Sequence, residues 1–432
     1  MSKNSSEDNV IYKKCWNMKY GISIGGVNYW VQKSRIPIGT KRPYEIIMDE
    51  KGYIPEDEIV SIPFDSKDTP FTNRKAFNVL LLGGTGDGKS LMMKNIWFFL
   101  HEAGYFTGYF DPKSLDAGRA RIKWNGSPRI APSTEPKGIE LDHFMPVWAT
   151  KKFKEMTHNF RLYSSDINEI DEVEMWRGLG MSSVSAPVVN KLVNDRKHTI
   201  ESLKKDLVRN PYANRDRLPA NSFNNAFRVL TEMETSKLAS TEYKSVNLLH
   251  EWSKGKALVF SYNNKSVINM SFDIGHKVNK SANLATDYGN RTPIAWIFDD
   301  AGYYARELRY TDFNFSLEEI KNILFNYRTR GLNCLLATQS LNIVSEVVTE
   351  AFPFKIITPK FKNPDQLIKL QIPNEAIDWL KSDMLVIRKD LHLMQMILVN
   401  ENNEAMTFFP FTPPCNHFTE IYHPDYDNIE KR

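Results

Sequence analysis

The sequence predicts an α/β protein with a parallel central sheet, and three observations predict it. Apolar strand segments alternate with helical segments from Phe77 onward, the pattern of a parallel sheet covered by helices on both faces. A glycine-rich turn, Gly83 to Ser90, sits between the first strand and the first helix. A later apolar run, Ile294 to Phe298, ends in two acids, Asp299 and Asp300.

Taken in order, residues 1–73 hold short segments of β character separated by Gly, Pro and Asp turns: Tyr20 to Ile24, Asn28 to Gln32, Tyr44 to Met48 and Ile59 to Ile62. They read as a small β-rich N-terminal module. The core begins over 74–164, with a strand from Phe77 to Leu82, a helix from Ser90 to Ala103 stopped by Gly104, and a strand from Tyr105 to Phe110. Residues 165–245 read as a mainly helical insertion, including a segment opened by Pro187 and closed at Asn210-Pro211, with Leu192, Ile200, Leu203 and Leu207 apolar. The core resumes over 246–400 with strands at Lys256 to Ser261, Pro293 to Phe298, Asn333 to Ala337 and Lys355 to Thr358. A helix between two of them carries a capping box at Ser316 and Glu319 and ends at Gly331. Residues 401–432 are left as a C-terminal tail.

Composition narrows the class. The chain has 432 residues, 41% of them apolar, enough for a sizeable core. It lacks a run of about eighteen apolar residues and a signal-like apolar N-terminus, so a soluble, intracellular protein without a membrane anchor is expected, cytoplasmic or associated with a virion. Cys15, Cys334 and Cys415 are scattered, which suggests neither a disulfide framework nor a cysteine zinc site. The formal charge of +4 does not mark a nucleic-acid binder. Residues 188–218 nevertheless concentrate Lys191, Arg196, Lys197, Lys204, Lys205, Arg209, Arg215 and Arg217 against four acids. This stretch is either a solvated helix face or a phosphate-contacting surface.

The stretch Gly83-Gly84-Thr85-Gly86-Asp87-Gly88-Lys89-Ser90 fits G-x-x-x-x-G-K-[ST] in the strand-to-helix setting that the motif requires. Glycines let successive N–H groups face inward as an anion nest, and the following helix directs its positive end at the same point. Lys89 then reaches the β- and γ-phosphates of ATP, and the Ser90 hydroxyl is a hard ligand suited to Mg²⁺. Asp299 ends a buried strand where it can hold the metal, while Asp300 can orient the attacking water. Gln339, in Leu335-Leu-Ala-Thr338-Gln339-Ser340, can sense the γ-phosphate. Arg328 or Arg330 either complements a helix dipole or serves a neighbouring subunit's nucleotide as an arginine finger.

These features resemble the FtsK/HerA superfamily of ATP-driven DNA pumps, which includes archaeal HerA, conjugative coupling proteins and viral genome-packaging ATPases. The matching elements run in order: Gly83 to Ser90, Phe110-Asp-Pro-Lys113, the strand Ala257 to Ser261, Asp299-Asp300, and Arg328-x-x-Gly331 leading to Ala337-Thr-Gln339. The resemblance covers about residues 75–400 without much of 115–245. It departs from the family at Asp300, where Glu is usual, and over the first 73 residues. It implies a RecA-like P-loop NTPase that translocates double-stranded DNA, a hexameric ring with nucleotide at subunit interfaces, and DNA in a central channel. Genome packaging with a capsid or portal-type partner, and mobile-element DNA transfer, both fit. The alternatives are a HerA-like motor for DNA end processing with a partner nuclease, and a slow nucleotide-dependent assembly or scaffold ATPase favoured by the shorter Asp300. A small-molecule kinase would leave the Thr338-Gln339 strand end without a role.

Overall fold

In the computed structural model, the described residues are 34–47, 54–64, 77–84, 86–112, 116–122, 134, 137–152, 160–209, 218–262, 266–287, 292–305, 313–341, 344, 346–361, 364–382, 385, 387–388 and 393–415. The expected strands at Tyr20 to Ile24 and Asn28 to Gln32 lie outside them, as do Thr85 and Lys113.

Twelve strands form one sheet. In chain order they are β1 (Arg35–Thr40), β2 (Ile59–Pro63), β3 (Val79–Leu82), β4 (Phe106–Asp111), β5 (Leu141–Pro146), β6 (Arg161–Tyr163), β7 (Ala257–Ser261), β8 (Ile294–Phe298), β9 (Leu332–Thr338) and β10 (Phe354–Ile357). A two-stranded ribbon, β11 (Ile387–Arg388) with β12 (Leu393–Met394), follows, and the sheet is completed by β13 (Met396–Val399) and β14 (Ala405–Pro410). Across the sheet the order is β2-β1-β14-β13-β10-β3-β9-β8-β4-β7-β5-β6. From β10 to β6 every pairing is parallel. The pairings from β10 through β13, β14 and β1 to β2 are antiparallel. The described N-terminal strands therefore extend the central sheet, joined to it through a C-terminal hairpin that straddles residue 400.

The parallel strands bury both faces, so their side chains divide by alternation rather than by polarity. Leu80, Leu82, Phe110, Phe260, Trp296 and Phe298 enter one core. Val79, Leu81, Tyr109, Val259, Ile297 and Leu335 enter the other, against Met92, Met93, Ile96 and Trp97 of α1 (Lys89–Glu102). The first core is closed by the helical insertion, with α2 (Ser185–Asp195), α3 (Ile200–Arg209) and α4 (Ala220–Ser236), and by α5 (Val267–Asp287) and α6 (Phe315–Phe325). Trp296 stacks on Phe110 at 4.8 Å and donates its indole N–H to Ser281. Gly108 makes room for it, since a Cβ there would meet Trp296 Cζ3 at 2.0 Å.

A buried polar knot ties α5 to the far strands. Asp273 Oδ2 accepts from Tyr163 and Tyr262, each at 2.6 Å, and its other oxygen pairs with Lys277. Lys277 lies 4.3 Å from the Tyr163 ring centroid. A buried charge needs this degree of compensation.

Three local expectations are corrected. Tyr44–Ile47 is a short helix and not a strand, because Pro43 starts a turn whose carbonyl accepts from the N–H groups of Ile46 and Ile47. The segment from Pro187 is two helices, broken where Arg196 is extended. The cap of α6 is Asn314, whose Oδ1 accepts from the Leu317 N–H at 3.3 Å; Ser316 lies inside the helix. Asn314 sets the start earlier than a Ser316 cap would, because its carboxamide also anchors to the Tyr304 carbonyl at 2.7 Å.

Candidate functional site

The parallel register brings the C-terminal ends of five strands into one edge, which is where open α/β sheets bind ligands. Leu82 pairs with Ile357 on one side and Thr338 on the other, and Phe298 pairs with Leu336 and Phe110. The ladder continues past the strand ends: Gly83 N–H donates to Thr338 O, Thr358 N–H to Leu82 O, and Asp299 N–H to Phe110 O. Gly83, Asp299, Gln339, Thr358 and Asp111 consequently share an edge, with one strand between the glycine-rich turn and the acidic pair.

The turn leaves β3 and enters α1 through Gly88 at φ +78°, with Gly86 at the same value. That left-handed backbone is open to glycine at little cost. A Cβ on Gly86 would meet nothing within 4 Å, so this part of the turn faces open space. The first N–H groups of α1 have no carbonyl within the helix to bond, and they carry its positive end. Lys89 is buried, and its Nζ donates to Gly83 O at 2.8 Å and Gly84 O at 2.5 Å. Ser90 follows in the first turn of α1 and is half-buried. Gly83, Gly84, Gly86, Asp87, Gly88, Lys89 and Ser90 thus lie between the end of β3 and the first turn of α1, with Thr85 outside the described residues.

Asp299 is held at the end of β8 by two tyrosines. Tyr109 on β4 donates to its Oδ2 at 2.9 Å, and Tyr304 donates to its backbone carbonyl at 3.0 Å. Burial pushes the Asp299 carboxyl up to about 6, the neighbouring Asp300 charge adds to this, and Tyr109, Lys89 and Lys94 oppose it. Two adjacent carboxylates in a desolvated place, one of them reluctant to ionise, make a site that a cation relieves. Among the described residues no three His, Cys, Asp or Glu side chains converge to hold a metal ion by themselves. A divalent cation here would have to take further ligands from a phosphate, with Asp299 and the Ser90 hydroxyl as the side chains that could hold it.

Asp300 adopts φ +45°, ψ +50°, a left-handed conformation that asparagine and aspartate tolerate better than bulkier residues. Its Oδ1 accepts from Gln339 Nε2 at 2.8 Å. Two side chains singled out from separate strand ends are therefore in direct contact. Strained backbone at such a position is characteristic of functional sites.

The turn before β9 includes Arg328–Arg330. The Arg328 side chain lies outside the described residues, while Arg330 stacks over the Tyr327 ring at 4.8 Å. Tyr327 and Asn322 donate to the buried Glu319, at 3.2 and 3.0 Å. Burial raises the Glu319 carboxyl to about 7 despite these bonds. A folded-state value above the unfolded one favours the fold fully below about pH 4.5 and is lost as pH rises through 7. Glu319→Gln should flatten the stability–pH curve, gaining up to roughly 3 kcal/mol relative to wild type between pH 5 and 8. Urea melts at those two pH values check it, and parallel curves for the two proteins would refute it.

Three of the eight basic side chains over 188–218 are paired with acids within the insertion, and Arg215 and Arg217 lie outside the described residues. Arg196 pairs with Asp206, Lys204 with Glu234 at 2.6 Å, and Lys205 with Glu201 at 2.7 Å. The site also includes residues that the sequence did not single out. Lys94, one turn into α1, is 1% exposed and its charge reaches Asp299; the only local signal is a lysine interrupting an apolar run. Tyr109 carried no signal at all.

No family model matches this sequence, and no curated protein matches it. Among solved structures, VirB4 of Thermoanaerobacter pseudethanolicus aligns with a TM-score of 0.54 at 10% identity, over 88% of this chain and 96% of that one. The bacterial conjugative coupling protein TrwB, in its unbound monoclinic form lacking 70 N-terminal residues, aligns at 0.45 and 13% identity, over 89% and 94%. The genome packaging NTPase B204 from Sulfolobus turreted icosahedral virus 2, in complex with ATPγS, aligns at 0.35 and 12% identity, over 78% and 98%. The chain therefore has a RecA-like P-loop NTPase fold, which it shares with VirB4.

Proposed function

We propose that this chain binds and hydrolyses ATP with Mg²⁺ and uses the cycle to move double-stranded DNA. The observation that carries the ATPase reading is the convergence on one sheet edge of the Gly83–Ser90 cradle, the acidic pair Asp299-Asp300, and Gln339 bonded to Asp300. Lys89 exchanges two backbone carbonyls for phosphate oxygens, so its charge is available without any change in the sheet. Ser90 and Asp299 are the residues that would hold Mg²⁺, which when bound neutralises charge across the phosphates. Asp300 orients the attacking water, and the Gln339 amide fixes the direction of that carboxylate while remaining able to donate to a phosphoryl oxygen. Tyr109 and Tyr304 hold the strand end in place, one through the Asp299 carboxylate and the other through its backbone carbonyl.

The DNA part rests on the resemblance of Arg328-x-x-Gly331, leading into a strand that ends Thr338-Gln339, to the FtsK/HerA motors. A homo-hexameric ring with nucleotide between subunits belongs to that same reading. No helix among the described residues is long and apolar enough to cross a membrane. Packaging with a capsid or portal-type partner and mobile-element transfer are the uses that the reading favours, ahead of end processing with a nuclease. Linear duplex DNA is expected to raise the ATPase rate several-fold, with the effect shrinking as salt rises, because non-specific phosphate contacts are screened. An identical rate with and without duplex, at low salt, would favour a slow assembly ATPase instead.

A further inference from the structure

The cradle contains an acid at Asp87, where the task is to attract phosphate, and this carboxylate is only 1% exposed. Its Oδ2 accepts the Gly84 N–H at 2.6 Å and the Thr358 hydroxyl at 3.3 Å. Among the described residues its Oδ1 is buried without a hydrogen bond, and it faces Lys360 Nζ at 3.6 Å. The approach is possible because glycines precede it. A Cβ on Gly84 would lie 2.7 Å from Asp87 Oδ2, and one on Gly83 would lie 1.9 Å from Thr358 Oγ1. The turn is thereby braced against the end of β10, the strand beside β3, by a buried negative charge whose ion-pair partner is Lys360.

We propose that Lys360 is a positioning residue for triphosphate binding, acting as the counter-charge that lets a carboxylate brace the cradle without repelling the nucleotide. The inference rests on the nucleotide reading above. Lys360 is 45% exposed but Asp87 is buried, so the ion pair both relieves a buried carboxylate and sets the field at the cradle, and the two contributions are separated by reading affinity and melting on the same proteins. An uncompensated carboxylate beside a phosphate repels it strongly at the effective dielectric of a partly buried site. Removing Lys360 exposes the incoming phosphates to Asp87. Removing the Asp87 charge as well makes Lys360 dispensable, and asparagine at 87 keeps an acceptor for the Gly84 N–H.

The test is a four-protein cycle of wild type, Lys360→Met, Asp87→Asn and the double variant, each titrated with Mg·ATP by calorimetry and melted in parallel. Lys360→Met should bind roughly 10-fold more weakly at a temperature where it is fully folded, with a lowered melting temperature that the double variant restores. The double variant should return to within about 3-fold of wild type, and Asp87→Asn should bind at least as tightly as wild type. Equal affinity of Lys360→Met and wild type overturns the proposal. So does a loss that persists in the Asp87→Asn background, which would make Lys360 a direct phosphate ligand. Wild type that fails to bind Mg·ATP would remove the nucleotide reading and this inference together. Binding by wild type with no coupling between the two sites removes the inference alone.

Discussion

Lys89→Met is expected to weaken Mg·ATP binding by roughly 100- to 1,000-fold, the worth of two charge-assisted hydrogen bonds to phosphate, and to bring turnover to background. The structure adds a second consequence. The Lys89 ammonium is a donor to the Gly83 and Gly84 carbonyls, so the variant also leaves these two acceptors without that donor, the first buried and the second partly buried. Each unsatisfied carbonyl costs about 1–3 kcal/mol where water cannot reach it. A melting curve therefore has to accompany the binding measurement. A variant that melts several degrees low but binds Mg·ATP like wild type would mean that Lys89 serves the turn alone, and the phosphate assignment would be lost.

The strand, turn and helix around Gly83–Ser90 were legible because all three are local: an apolar run, a glycine-rich string and a helix that follow each other without interruption. The acidic pair was legible for a similar reason, since five apolar residues leading straight into Asp299-Asp300 mark a buried strand with its carboxylates at the ligand-binding edge. What joins these pieces was not legible. Tyr109 reaches Asp299 across 190 residues and Thr358 reaches Asp87 across 271, separations over which no periodicity can speak. Strands β5 and β6 escaped notice because Leu-Asp-His-Phe-Met-Pro and Arg-Leu-Tyr are short and interrupted by polar residues, and the sheet, not their propensity, makes them extended. The Tyr44–Ile47 error has the opposite origin. Its apolar content suggests a strand, but the proline before it supplies a ready helix start.

Asp300→Asn should separate chemistry from binding more cleanly than any other change at the site. Asparagine tolerates a left-handed backbone at least as well as aspartate, so φ +45° is no obstacle to folding. It also keeps an oxygen for the Gln339 amide, whose 2.8 Å bond defines where the side chain points. Only the negative charge is lost. If Asp300 orients and polarises the attacking water, kcat falls by about 100- to 10,000-fold while the Kd for Mg·ATP stays near wild type. Loss of the neighbouring charge lowers the Asp299 value but also removes one of the two carboxylates that attract a cation, so Mg²⁺ binding should hold or weaken slightly and not tighten. Single-turnover kinetics and Mg²⁺ titrations of the same protein read both effects. An Asp300→Asn protein that hydrolyses ATP at the wild-type rate would transfer the role to another group at the edge, with Gln339 the nearest in hand; Asp300 would then be a residue that merely fixes the turn after β8.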